Sequence, residues 1–253
     1  MPPWAGQGMQ SGIRDAHNVA WKLASICSGR AEPDLLDTVE SERWPHVSLL
    51  TEMSVRLGMF IEADNRALVA VRNRVGPWAR HLPFWNRVLQ PSNATNRFAS
   101  GWVTGTPGRR NALGRMIPQP TVLDRRGQEH LLDDLVGSGF VVLGVGIDPR
   151  SAMTARQVEA WTGLGADFRT VRRSFATTDG ADDVIDGTGV LLDWLDRYRA
   201  TVVVVRPDRF VAATDRTGLD VPPARGNLAP ATSSGTRDRR ATPTASATPI
   251  GAS

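Results

Sequence analysis

The chain has 253 residues, 41% of them hydrophobic, with a formal net charge of +4, enough for one large or two small globular domains with a real core. Its pI near 10.4 reflects arginine chemistry, because Lys22 is the only lysine, and the basic residues mix with Asp and Glu along the chain, which excludes the basic stripe of a nucleic-acid binder. A single cysteine, Cys27, excludes an intrachain disulfide, a Cys-x-x-Cys redox pair and a cysteine zinc cluster.

The opening Met1-Pro2-Pro3-Trp4 has neither the basic nor the apolar region of a signal peptide. The longest apolar run, Phe140 to Ile147, is broken by Gly144 and Gly146 and falls short of the roughly 20 residues that span a bilayer. The expectation is a cytoplasmic protein without membrane contact. After the Pro and Gly cluster, Ile13, Ala16, Val19, Ala20, Leu23 and Ala24 recur at three- and four-residue spacing, which predicts a helix from near Gly8 that stops by Gly29. A second helical stretch starts near Pro33-Asp34, is interrupted at Pro45, and resumes from Val47 towards Val75. Residues 78–120 hold five prolines beyond Pro77, among them Pro83, Pro91 and Pro107, and read as a linker lying over two domains.

From Thr121 the pattern changes. Phe140 to Val145 reads as a buried strand, Ala152 to Leu164 as a helix, Asp167 to Val171 as a strand and Gly189 to Tyr198 as a helix. Thr201 to Arg206 and Phe210 to Ala213 flank the turn residues Pro207-Asp208 and predict two antiparallel strands. Residues 215–253 end in Ala, Thr, Ser, Pro, Gly and Arg, a composition that buries too little apolar surface to offset the entropy of ordering, so this tail is expected to be disordered.

The first residues, Pro2-Pro3-Trp4-Ala5-Gly6-Gln7-Gly8-Met9-Gln10, place glycines where a loop turns into a helix. Free N–H groups and the positive end of the helix dipole favour a negative group there, and Gly6 and Gly8 let a flat ring approach the backbone. Taken alone, Gly-x-Gly before a helix reads first as an ordinary capped helix. More residues accompany it. Pro2-Pro3-x-x-Gly6-x-Gly8-Met9, then Arg14-Asp15-Ala16-x-Asn18-x-x-Trp21-Lys22-Leu23 and Leu36-Asp37-Thr38-x-Glu40-x-Glu42-Arg43-x-Pro45-His46, resemble the second flavin motif and the following segment of class A FAD-dependent aromatic monooxygenases. Pro118-Gln119-Pro120, Gly144-x-Gly146-x-Asp148-Pro149 and Arg206-Pro207-Asp208-Arg209-Phe210-Val211 resemble the C-terminal domain of the 3-(3-hydroxyphenyl)propionate hydroxylase and phenol hydroxylase type.

The resemblance implies an α+β fold: a helical flavin-domain region over 1–77, the linker over 78–120, a thioredoxin-like domain without Cys-x-x-Cys over 121–214, and the tail. It implies FAD as cofactor, NADH or NADPH as reductant, and hydroxylation of a phenolic substrate with O2. Pro3 would lie beside the C4a edge of the flavin ring, with Pro2, Gly6, Gly8, Met9 and Gln10 as cofactor contacts; Gln10 stands where relatives usually have Asn. The helix dipole would stabilise negative charge on the reduced ring. No metal role is expected, since His17, His46, His81 and His130 lack ligand spacing. Arg14 and Asp15 read as structural charges, Trp21 as core, and Asp148-Pro149 and Pro207-Asp208 as turn chemistry.

The nucleotide-binding glycine loop and the Gly-Asp segment of relatives do not occur in the chain. The expectation is therefore a truncated product, a late start or one piece of a split enzyme, inactive by itself, with its helical third left partly uncovered. Its partner would be a separately encoded N-terminal half or a second copy. The alternative is a non-catalytic thioredoxin-like interaction module.

Overall fold

Seven strands make one sheet in the computed structural model, which describes residues 8–62, 69–70, 73–74, 97–174 and 183–224. They are β1 (Thr121–Leu123), β2 (Glu129–Leu131), β3 (Val141–Val145), β4 (Asp167–Arg172), β5 (Asp183–Ile185), β6 (Val202–Val205) and β7 (Val211–Thr214), in the order β2-β1-β5-β4-β3-β6-β7. β3, β4 and β5 are parallel neighbours, whereas β6 is antiparallel to β3 and β7 to β6. The helices are α1 (Gly8–Cys27), α2 (Asp37–Ile61), α3 (Leu132–Val136), α4 (Ala155–Gly163) and α5 (Val190–Arg197), with 3₁₀ turns at Pro33–Leu36 and Pro149–Ala152.

Alternation along the strands divides the core into two layers. One face of the sheet carries Val141, Leu143, Val203, Val205 and Val211 and packs under α3 and α5 through Leu132, Val136, Leu191 and Leu195. The other carries Phe140, Val142, Val202, Val204 and Ala212 and is covered by Trp161 of α4, Trp102, Leu35 and Trp21 of α1. Buried on both sides, β3, β6 and β7 are near-continuous apolar runs, and β6 is all valine. α4 starts at a capping box, in which Thr154 and Gln157 satisfy each other's backbone N–H.

Four strands and three helices, α1, α4 and α5, lie within a few residues of their predicted positions. β1, β2 and β5, three residues each, are too short to show alternation and were not expected. Three expectations need correction. α2 runs unbroken through Pro45; the ring removes one backbone donor, but Glu42, Arg43 and His46 beside it are buried by tertiary contacts that hold the helix together. The expected linker is described from 97 onward, and there it is core: Phe98, Trp102, Val103, Leu113 and Ile117 are buried. It also covers the edge of β7, where Thr104 donates to Ala212 and Val211 donates to Arg115, so the edge is not left free to pair with another chain. The tail expected from 215 begins with packed residues, since Leu219 is buried and its carbonyl accepts from Trp161 Nε1 at 2.7 Å. From 225 on it lies outside the described residues.

Candidate functional site

Of the residues expected at the flavin, Pro2, Pro3 and Gly6 lie outside the described residues. Gly8, Met9 and Gln10 form the first turn of α1 and are exposed. That turn contains no acidic residue, and a Cβ placed on Gly8 or Gly12 would meet nothing within 4 Å. The positive end of a 20-residue helix is thus unshielded by a carboxylate of its own. Such a helix end is electrostatically suited to a negative or electron-rich group.

The apolar stripe of α1 does not face inward. Met9, Ile13 and Leu23 are exposed, while the buried residues of the helix are Ser11, Asn18, Trp21 and Lys22. Trp21 is core, as expected, 5.4 Å from the Phe140 ring and 5.6 Å from Trp102. Burying a lysine and an asparagine has a cost that only complete pairing offsets. The pairing partners come from α2 and from the turn after β6.

Glu42 of α2 is fully buried and accepts five hydrogen bonds: from Asn18 Nδ2 at 2.7 Å, Lys22 Nζ at 2.8 Å, Arg206 Nη1 and Nη2 at 2.5 and 2.9 Å, and the Trp102 backbone N–H at 2.8 Å. Arg206, also fully buried, turns its other edge to Asp208, with Nε to Oδ1 at 2.9 Å and Nη2 to Oδ2 at 2.5 Å. Asp208 Oδ2 accepts in addition from Asn18 Nδ2 at 3.0 Å and Trp21 Nε1 at 3.1 Å. Two cations and two anions therefore close on one another around a planar guanidinium, which matches carboxylates two donors at a time. The same guanidinium lies 5.0 Å from the Trp21 ring centroid and 4.9 Å from that of Phe98.

The electrostatics agree with full ionisation. Burial alone would raise the Glu42 carboxyl, but Arg206 and then Lys22 more than offset it and hold it at about 2. Burial draws Lys22 down to about 8 against the pull of Glu42. Burial also opposes the Arg206 charge, and Asp208 and Glu42 outweigh it, so its pKa moves up. Gly101 makes the approach of the Trp102 segment feasible: its φ is +125°, and a Cβ there would sit 2.5 Å from Glu42 Oε1.

Other expectations resolve singly. Asp15 pairs with Arg43 at 2.5 Å, which makes it the structural charge anticipated, though its partner is in α2 and not the adjacent Arg14. His17 is exposed, His46 is buried with Nδ1 3.0 Å from the Glu42 carbonyl, His130 faces Asp124 at 3.3 Å, and His81 lies outside the described residues. Asp148 is turn chemistry, accepting from the Arg150 N–H. Asp208 is more than that: the turn reading missed a buried carboxylate that holds α1. Two signals in the sequence pointed to it, the lone lysine four residues after Asn18 and the charged Arg206-Pro207-Asp208 directly after four valines.

Residues 1–54 match the family model of an FAD binding domain, and residues 114–221 match that of the HcaD C-terminal domain. The chain is 37% identical over 233 residues to the 3-(3-hydroxy-phenyl)propionate/3-hydroxycinnamic acid hydroxylase 2 of Burkholderia vietnamiensis (strain G4 / LMG 22486), covering 86% of this chain and 42% of that one. It is 34% identical over 223 residues to the 3-(3-hydroxy-phenyl)propionate/3-hydroxycinnamic acid hydroxylase of Escherichia coli (strain SMS-3-5 / SECEC), covering 85% and 40%. The chain thus spans less than half the length of these curated relatives. Its fold superposes on the flavin-dependent monooxygenase PieE, solved with FAD and substrate, at a TM-score of 0.60 and 21% identity over 88% of this chain and 44% of that one. Among the described residues no helix is long and apolar enough to cross a membrane. With matches at both ends of the fold and in the helices as well as the sheet, the chain resembles the C-terminal portion of these hydroxylases, joining part of an FAD binding domain to an HcaD C-terminal domain.

Proposed function

We propose that the chain supplies the flavin-facing turn and the C-terminal module of an aromatic-ring hydroxylase. The observation that carries this reading is the open first turn of α1, exposed at Gly8, Met9 and Gln10 and free of acidic residues, within the segment that matches an FAD binding domain. Gly8 and Met9 would offer backbone N–H groups to the electron-rich edge of the ring, Gln10 its amide, and Pro2, Pro3 and Gly6 the close approach of the preceding turn. Bound FAD, reduced by NADH or NADPH, supplies the oxygen-activating chemistry. The chain's own part is to orient the ring and to place a positive helix end where negative charge collects on reduction.

The substrate class we infer is a phenol bearing a short carboxylate chain, by analogy with the relatives whose names specify 3-(3-hydroxyphenyl)propionate and 3-hydroxycinnamic acid. The exposed stripe Met9, Ile13 and Leu23 is the face suited to a nucleotide-binding segment of such a fold. The cytoplasm, where NAD(P)H is abundant, fits a chain whose one cysteine needs no partner.

The test is complementation. The chain alone, given FAD, NAD(P)H and 3-(3-hydroxyphenyl)propionate, is expected to oxidise no reductant in a substrate-dependent way, because the pyrophosphate and ribityl contacts are absent. Addition of the nucleotide-binding part of a relative is expected to yield FAD retention and substrate-dependent oxidation. Failure of every such mixture to bind FAD, with both parts folded, would overturn the reading.

A further inference from the structure

The contact between α1 and the sheet module runs through directional bonds to one turn. Asp208 Oδ2 accepts from Asn18 at 3.0 Å and from Trp21 at 3.1 Å, across 190 and 187 residues of sequence. Arg206 fixes that carboxylate from both of its oxygens. Trp21 is enclosed by Trp102 and Phe140. Apolar packing alone lets a helix slide and rotate, since it is not directional. Two donors three residues apart on one helix face, both aimed at a single oxygen, set rotation and height together. A helix advances about 1.5 Å per residue, so this anchor lies about 15 Å along α1 from Gly8. A hydrogen-bonded helix of that length is stiff, and fixing it at Asn18 and Trp21 fixes its first turn.

We propose that Asp208, held by Arg206, is a positioning residue for the flavin-facing turn, acting through Asn18 and Trp21 to set where α1 points. The inference rests on the flavin reading above and adds to it a role for the sheet module. Cysteine-free between residues 121 and 214, that module serves the site by holding α1 in one register. Buried charge clusters contribute little net stability compared with apolar residues of the same volume, and uniqueness of register is the use that best accounts for their retention.

Trp21→Phe removes the indole donor while leaving Asp208 bonded to Arg206 and Asn18, so it is the variant expected to fold; Asp208→Asn is the second. Val203→Ala, buried on the opposite face of the sheet, is the comparator that lowers stability without touching the turn. Native-state hydrogen exchange is expected to quicken about tenfold in residues 12–17 of α1 in Trp21→Phe and Asp208→Asn, and to stay near wild type there in Val203→Ala. In the complemented mixture, FAD affinity should fall several-fold with Trp21→Phe and hold with Val203→Ala. The latch is overturned if α1 exchange is unchanged in both turn variants, or rises equally in Val203→Ala. If no mixture binds FAD at all, the flavin part of the proposal fails, and the exchange pattern alone decides whether Asp208 positions α1.

Discussion

α1 and β6 are both buried against the same aromatic layer, yet they are held by opposite means. β6 is four valines, each fully buried, gripped from both faces by side chains that only need to be apolar and of the right size. α1 turns its polar residues inward, to Glu42, Arg206 and Asp208, and its methionine and isoleucine outward. The sheet can tolerate exchanges of similar volume. The helix contact cannot, because each bond has one partner and each charge has been removed from water. What the contrast teaches is a division of labour: the sheet provides the free energy of folding, and the charge cluster specifies where α1 sits on it.

The largest break in that comparison should come from Arg206→Met. It removes the cation shared by two buried carboxylates and is expected to cost about 3–5 kcal/mol. Urea unfolding followed by circular dichroism measures it, and a loss under about 1 kcal/mol would show that Glu42 and Asp208 find water or other donors. Acid comes next. Glu42 is held at about 2 against an ordinary 4.5, so the stability it contributes is complete above 4.5 and is lost as pH falls towards 2. The melting temperature should fall across that window, by an amount equivalent to on the order of 3 kcal/mol, and Glu42→Gln should flatten this limb. An identical acid limb in the two proteins would assign the effect to other carboxylates. The smallest effect sharpens the other side of the contrast. Ile13→Ser together with Trp44→Ser, at positions 61% and 66% exposed, should change stability by no more than about 0.5 kcal/mol. The pair should nevertheless lower concentration-dependent self-association in sedimentation velocity, since it removes exposed apolar surface.

Much of this molecule is legible in the chain. The β-branched run at Val202 to Val205 and the turn after it declare themselves through local rules, and local rules act between near neighbours in sequence. Family motifs were legible for the same reason: Pro2-Pro3, Gly6, Gly8 and the Asn18-x-x-Trp21-Lys22 run are short and contiguous. The helical period of α1 was visible as well, but not the side on which it packs. An apolar stripe predicts burial only if something covers it, and the residues of this chain that α1 meets present carboxylates.

The sequence by itself determined the longer elements, the family resemblance and the residue types available for an ion cluster. Only the tertiary structure decided that Asn18, Trp21 and Lys22 would share two carboxylates with Arg206, that a proline-rich stretch would become core and edge cover, and that α2 would pass through Pro45. The physical reason is range. Periodicity and turn chemistry are set by dihedral angles and neighbours a few residues away, whereas the pairing of a buried charge is a choice among partners up to 190 residues distant, made when the chain leaves water and each charge must find its opposite.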